Sequence, residues 1–284
     1  MRNNEGRIGA TQVADAPPTN VSNAPTGDSN LLNFVIPTDF VELPSKGRFY
    51  AEGHPLYNKD HVEIRQMTAK DEDILTSRGL LQKGIAIDRL IENLLINKSV
   101  GCSSLLVGDK NAIMMTARIS AYGSEYKTTV RCPVCTQSSE HGFDLNNTRF
   151  QTPDDNESEA TLTSNSTYLL ALPASKAKVE VKFLTSAEEK KLVDLSERKK
   201  QRNMLDTPVT DQLKTFIVSI NGVTDRADIS GFVDNMPARD SRFLRTEYMK
   251  LVPNVDLTQD FVCKHCLSES IMEVPFTTEF FWPR

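Results

Sequence analysis

The sequence predicts an α+β fold made of two related halves. Each half runs strand, helix, helix and then a β-hairpin closed by a C-x-x-C turn, and the two turns meet in one four-cysteine, ribbon-like site. Three observations carry this reading. Motifs in residues 31–150 recur in the same order in residues 167–284. Four of the five cysteines fall in two pairs, Cys132/Cys135 and Cys263/Cys266. Asp109 precedes Cys132 by the same 23 positions (109 to 132, 240 to 263) that separate Asp240 from Cys263, a match over a length that chance rarely supplies.

Residues 1–30 are rich in Asn, Ala, Thr, Pro and Gly and have almost no large apolar side chains. They cannot bury enough surface to offset the entropy of ordering, so a flexible tail is expected, with an interaction arm as the alternative. The first half then spans residues 31–150. Leu43-Pro44-Ser45-Lys46 is echoed by Leu172-Pro173-Ala174-Ser175-Lys176. Val62-Glu63-Ile64-Arg65-Gln66-Met67-Thr68 is echoed by Val179-Glu180-Val181-Lys182-Phe183-Leu184-Thr185, an alternating β-branched strand that ends on a threonine. Asp71 and Glu188 each lie three residues beyond that threonine, as in a capping box.

An apolar helix is expected next in each half. Ile87, Leu90, Ile91 and Leu94 share one helical face, as do Leu213, Phe216, Ile217 and Ile220. Asn97 and Asn221 suit the ends of these helices. Asp109 and Asp240 read as N-caps of a further helix. Residues 151–166 are polar and acidic and read as a linker, and the second half follows over residues 167–284. The charged run Ser196–Asn203 reads as a solvated helix end or loop, with a phosphate-binding patch as the weaker alternative.

Composition excludes several classes. The chain has 284 residues, 39% of them hydrophobic and 25% charged, which is enough for a packed core. A net charge of −5 argues against a general nucleic-acid binder. No apolar run of 18 residues is present to span a membrane, and residues 1–30 hold no apolar segment of a secretory signal, so cytoplasmic synthesis is expected.

Strand-like segments flank each cysteine pair: Tyr126–Arg131 and Phe143–Leu145 about the first, Thr258–Val262 and Ile271–Val274 about the second. A two-residue spacer lets both thiolates of one tight turn reach one ion, and two such knuckles complete a tetrahedral site. Cys132, Cys135, Cys263 and Cys266 are therefore expected to hold a single zinc ion. Four thiolates leave no position for a catalytic water, so the ion is structural. A thioredoxin-like redox pair needs a helix after its C-x-x-C, and here β-patterned residues follow. Two separate disulfides suit a reducing cytosol poorly. His265, inside the second knuckle, is an alternative ligand but is expected to face solvent; His141 is expected at the surface. Cys102 is unpaired and reads as a buried small hydrophobe.

Catalytic signatures are missing. No G-x-S-x-G, H-E-x-x-H, G-x-x-x-x-G-K-[ST] or G-x-G-x-x-G occurs. Ser45-Lys46-Gly47 lacks the upstream glycines of a phosphate loop. Asp71, Glu72 and Asp73, and likewise Glu188 and Glu189, sit in the first turns of helices, where they complement the dipole. No enzymatic activity is expected. Phe280, Phe281 and Trp282 stand close to the C-terminus, where chains are usually polar. Such a stretch packs either in its own core or against a partner, and aromatic anchors suit an interface.

Taken in order, Leu43–Gly47, Met67–Arg78, Gly84–Asp88, Gly108–Lys110, Ala117–Tyr126 and Cys132-Pro133-Val134-Cys135 resemble the T-even-type bacteriophage baseplate protein family, whose members act in the central hub of contractile tails. The resemblance covers about residues 37–150 well and the second half more loosely, ending at Phe280-Phe281-Trp282-Pro283. One departure is Thr136, where glycine commonly follows such a knuckle. The resemblance implies a structural virion protein in the tail baseplate, assembled in the host cytoplasm. Its implied partners are other baseplate, hub or tail proteins, with no membrane and no nucleic acid. The alternatives are a hub assembly chaperone that leaves before maturation and a zinc-ribbon regulator that binds nucleic acid. Only Lys127, Arg131 and Lys264 lie near the cysteines to serve the latter, opposed by Glu125, Glu140 and Asp260.

Overall fold

Strands β1 (Thr38–Glu42) and β2 (His61–Arg65) pair antiparallel with Val41 opposite Val62. Val41, Val62 and Ile64 point inward and are buried, as their alternation with polar residues requires. Helices α1 (Ala69–Thr76), α2 (Arg78–Gln82) and α3 (Ala86–Leu94) follow, then the long α4 (Val107–Tyr122). Strands β3 (Glu125–Arg131) and β4 (Ser138–Asp144) form the first knuckle hairpin, and β5 (Arg149–Gln151) leaves it. The second series opens with β6 (Thr161–Leu162), β7 (Tyr168–Ala171) and β8 (Lys178–Val181). It continues with α5 (Ser186–Gln201), α6 (Pro208–Phe216), β9 (Ile217–Ile220), α7 (Arg226–Asp234) and α8 (Ala238–Leu251). Strand β10 (Asn254–Asp256) leads into the second hairpin, β11 (Thr258–Val262) and β12 (Glu269–Glu273). A 3₁₀ turn over Thr278–Phe281 follows. This computed structural model describes residues 36–153, 158–275 and 278–281. The tail expected over residues 1–30 and the Trp282 anchor lie outside them.

The sheets are small and antiparallel: a four-stranded sheet in the order β6-β7-β8-β9, and two-stranded pairs elsewhere. Strand β5 pairs with β10, so a strand following the first hairpin is hydrogen-bonded to one preceding the second. Val107 N–H donates to the Leu184 carbonyl (3.1 Å) and Ser186 N–H to the Leu105 carbonyl (2.7 Å). One hydrophobic core runs from Val41 and Leu43 through Leu106, Ile113 and Val179 to Phe261 and Val274. At Gly108 a Cβ atom would stand 1.9 Å from the Pro253 carbonyl oxygen, so only glycine lets the first turn of α4 touch the segment before β10.

Two expectations need correction. Ile217 and Ile220 were assigned to a helical face with Leu213 and Phe216. The helix stops at Phe216, and Ile217–Ile220 forms β9 against β8. The run Ile-Val-Ser-Ile favours a strand, and its burial there satisfies the same apolar residues. Asn221, with φ 51°, therefore ends a strand and not a helix. Within the linker expected over residues 151–166, Gln151 closes β5 and Thr161–Leu162 forms β6; residues 154–157 lie outside the described ones. Finally, Asp109 and Asp240 are not caps. The N-cap positions are Leu106 and Pro237, and both aspartates sit inside the first turn, fully buried.

Their carboxylates reach the two Leu-Pro turns. Asp109 accepts from Ser45 N–H (3.0 Å), Ser45 Oγ (2.6 Å) and the Tyr50 hydroxyl (2.7 Å). Asp240 accepts from Ala174 N–H (2.7 Å) and Ser175 N–H (2.9 Å). Lys46 and Lys176 take left-handed φ values of 49° and 59° in these turns. Burial opposes the charge at both aspartates. At Asp109 it prevails and raises the carboxyl above its usual range. At Asp240 the donors of Ala174 and Ser175 outweigh it and lower the carboxyl.

Both capping interactions form. Thr185 N–H donates to Glu188 Oε2 (3.1 Å) while Glu188 N–H donates to Thr185 Oγ1 (3.4 Å). Thr68 donates to Asp71 from both N–H and hydroxyl, each at 2.8 Å. Asp71 also accepts a bidentate pair from Arg65 (2.6 and 2.8 Å) and a bond from Asn93 (2.7 Å). Burial alone would raise its pKa, but Arg65, Thr68 and Asn93 overcome that and hold the carboxyl well below the ordinary range. A folded-state pKa below the unfolded value gives stability that is present above about pH 4 and fades as pH falls through the lower value. Asp71→Asn is therefore expected to lower stability by about 3 kcal/mol at neutral pH. Denaturant melts at descending pH should show the wild-type advantage shrinking below about pH 4.

Candidate metal centre

Each C-x-x-C occupies the turn of a two-stranded hairpin, and the two turns have the same internal bonding. Cys132 N–H donates to the Gln137 carbonyl (2.9 Å) and Thr136 N–H to the Cys132 carbonyl (3.0 Å). Cys263 N–H donates to the Ser268 carbonyl (3.0 Å) and Leu267 N–H to the Cys263 carbonyl (3.0 Å). Thr136 and Leu267 both adopt left-handed φ, 62° and 55°. Glycine is the residue that takes this conformation without strain, and a β-branched threonine accepts it at some cost. The missing glycine after the first knuckle thus leaves the turn intact.

The four sulfurs converge. All lie within 4.8 Å of one another, with Cys132 Sγ 3.8 Å from Cys266 Sγ and Cys135 Sγ 3.6 Å from Cys263 Sγ. A tetrahedral ion with metal–sulfur bonds near 2.3 Å separates its ligands by roughly 3.7 Å, so the donor set fits a thiophilic divalent ion. The same separations are far beyond the roughly 2.05 Å of a disulfide, and all five cysteines are free. Each C-x-x-C leads into a strand and not a helix, which removes the geometry of a redox pair.

Donors aimed at the sulfurs favour thiolates. Backbone N–H groups of Cys135 and Val134 point at Cys132 Sγ (3.5 and 3.4 Å), and His265 N–H points at Cys263 Sγ (3.4 Å). The Cys135 amide leads in pulling the Cys132 thiol down to about 6, and the Ser268 hydroxyl leads in lowering Cys266. At Cys135 the Gln137 amide favours the thiolate, but desolvation and the surrounding sulfurs override it and push the thiol up to about 12. Thiolates this close repel one another, and a divalent cation among them removes that conflict.

The surroundings tie the hairpins together. His141, expected at the surface, is half-buried and edge-on to Phe143 (4.7 Å) and Phe261 (5.1 Å), one ring from each hairpin. Gln259 donates to the Asp144 carbonyl (2.7 Å) and accepts from Asp144 N–H (3.2 Å). His265 is exposed. Cys102 is buried, 3.6 Å from Asp88, and burial raises its thiol to about 12.

Phe280 and Phe281 are 1% and 3% exposed. The Phe280 ring stands edge-on to Tyr126 (5.2 Å), and its carbonyl accepts from the buried Arg118 Nε (2.6 Å). Both rings pack in the hydrophobic core of this chain. A groove of about 660 Å³ is bordered by Leu75, Met114, Phe281, Asp88, Lys110 and Ser186. Lys110 lies 3.0 Å from the Ser186 hydroxyl but is bound to Asp88 at 2.7 Å, so the pair cross-links α3, α4 and α5.

Cys263→Ser is expected to abolish retention of one thiophilic ion per chain and to lower stability by several kcal/mol, because metal binding is coupled to folding. Metal analysis after gel filtration, paired with a thermal melt, checks both.

No curated protein and no solved structure matches the chain. A family described as T4 bacteriophage base plate protein matches residues 37–282, spanning both hairpins and all four clustered cysteines. The chain belongs to the T4 bacteriophage base plate protein family.

Proposed function

We propose that this protein is a non-catalytic structural subunit of the central hub of a contractile-tail baseplate. It acts through contacts with other baseplate, hub or tail proteins, and one structural zinc ion is held by Cys132, Cys135, Cys263 and Cys266. The family match over residues 37–282 carries the baseplate role. The sulfur separations support the ion, and the saturation of its sphere by four thiolates supports a structural use. Zinc is the ion whose chemistry suits four thiolates in a tetrahedron without redox change.

The halves 31–150 and 167–284 are read as copies of one ancestral unit. Parallel details support that reading: two Leu-Pro turns held by a buried aspartate, two threonine-capped helices and two hairpins with the same knuckle bonding.

Quantitative mass spectrometry of purified mature virions tests the structural role. Peptides of this chain are expected in fixed ratio to the other baseplate proteins. Their presence in assembly intermediates together with their loss from mature particles would assign the chain to a chaperone instead.

A further inference from the structure

Two exposed features have no role in the fold, and their chemistries match. The first is the outer face of β11–β12. Val262 and Ile271 are 52% and 72% exposed, and Leu267 in the turn is 77% exposed. Asp260 lies opposite Ile271, and Glu269 opposite Val262. Together with Glu273, these carboxylates are exposed and form no ion pair among the described residues. Lys264, in the knuckle turn, is also exposed. Alongside runs a groove of about 600 Å³, bordered by Asn147, Arg149, Asp256, Asp260 and Ile271.

The first hairpin is an internal control. Counted from the leading cysteine of each knuckle, Arg131 stands where the second hairpin has Val262, and Glu140 where it has Ile271. All outward residues of β3–β4 are polar or glycine. The apolar outward residues of β11–β12 are therefore not required by the hairpin or by the sulfur cluster.

The second feature is the connection between α5 and α6. Met204 and Leu205 are 56% and 83% exposed. Arg198, Lys200 and Arg202 beside them are exposed and form no ion pair among the described residues. The loop is held in shape: Lys199 binds Asp211 and Thr207, Ser196 binds Asp206, and Met204 N–H donates to the Lys199 carbonyl. It is an apolar knob beside exposed cations, whereas the β11–β12 face is apolar and flanked by carboxylates.

We propose that the β11–β12 face receives the α5–α6 knob of a second copy of this chain. Leu205 and Met204 cover Val262 and Ile271, and the cations meet Asp260, Glu269 and Glu273. Face and knob are different surfaces, so the contact is head-to-tail and repeats from copy to copy. A chain of net charge −5 associates with itself this way because the opposite charges are segregated. The proposal does not depend on the hub assignment.

Sedimentation of the purified full chain tests it, using two variants. V262R/I271E places the first hairpin's residues on the face, and M204E/L205E blocks the knob; both exchange exposed side chains, so wild-type melting and metal content are expected. The wild type should self-associate beyond a dimer, less so at high salt. Each variant alone should associate tenfold or more weakly, and an equimolar mixture should stop at a dimer, since it holds one working face and one working knob. The charge reversal R198E/R202E leaves every apolar group in place and should also weaken self-association. A monomeric wild type overturns the proposal, as do variants that self-associate normally or a mixture that stays monomeric while the wild type associates. Binding to purified baseplate intermediates that V262R/I271E abolishes, without self-association, gives the face to a different basic partner and overturns the second-copy assignment.

Discussion

Four thiol sulfurs packed within 4.8 Å, drawn from two turns 128 positions apart, are the strongest constraint in this molecule. They meet only if the two hairpins lie side by side with their turns at one end. That arrangement brings Phe143 and Phe261 to opposite edges of His141 and sets Gln259 against the Asp144 backbone. The donors around the sulfurs favour the thiolate at Cys132, while desolvation and the neighbouring sulfurs oppose it at Cys135.

The cluster is not what joins the two parts of the chain. The β5–β10 pair, the exchanged backbone bonds between Leu105–Val107 and Leu184–Ser186, and a continuous core already do so. Buried carboxylates supply a second kind of fastening. Asp109 and Asp240 fix a Leu-Pro turn to the start of a long helix; Asp109 satisfies the buried Ser45 amide, and Asp240 accepts from the Ala174 and Ser175 amides. Loss of the Asp109 carboxylate strands the buried Ser45 donors, which costs more than the bonds themselves contribute.

Much of this was legible in the sequence because it depends on local spacing. The two-residue spacer of each knuckle, the three-residue spacing of Thr185 and Glu188, and the alternation of Val62 and Ile64 each fix a short-range geometry. What was missed depends on distant partners. Asp109 carries the signature of a cap, and nothing local reveals that Ser45 and Tyr50 occupy its oxygens. Ile217 and Ile220 fit a helical stripe as well as a strand, and only β8 decides between them. The aromatic end offered core or interface equally, and Arg118, more than 160 positions away, decided for Phe280.

X-ray absorption at the metal edge of the purified protein tests this account most directly. The account predicts a zinc edge with four sulfur neighbours at about 2.3 Å and no lighter ligand. A first shell containing oxygen or nitrogen, or a protein purified metal-free with the same melting temperature, would contradict it.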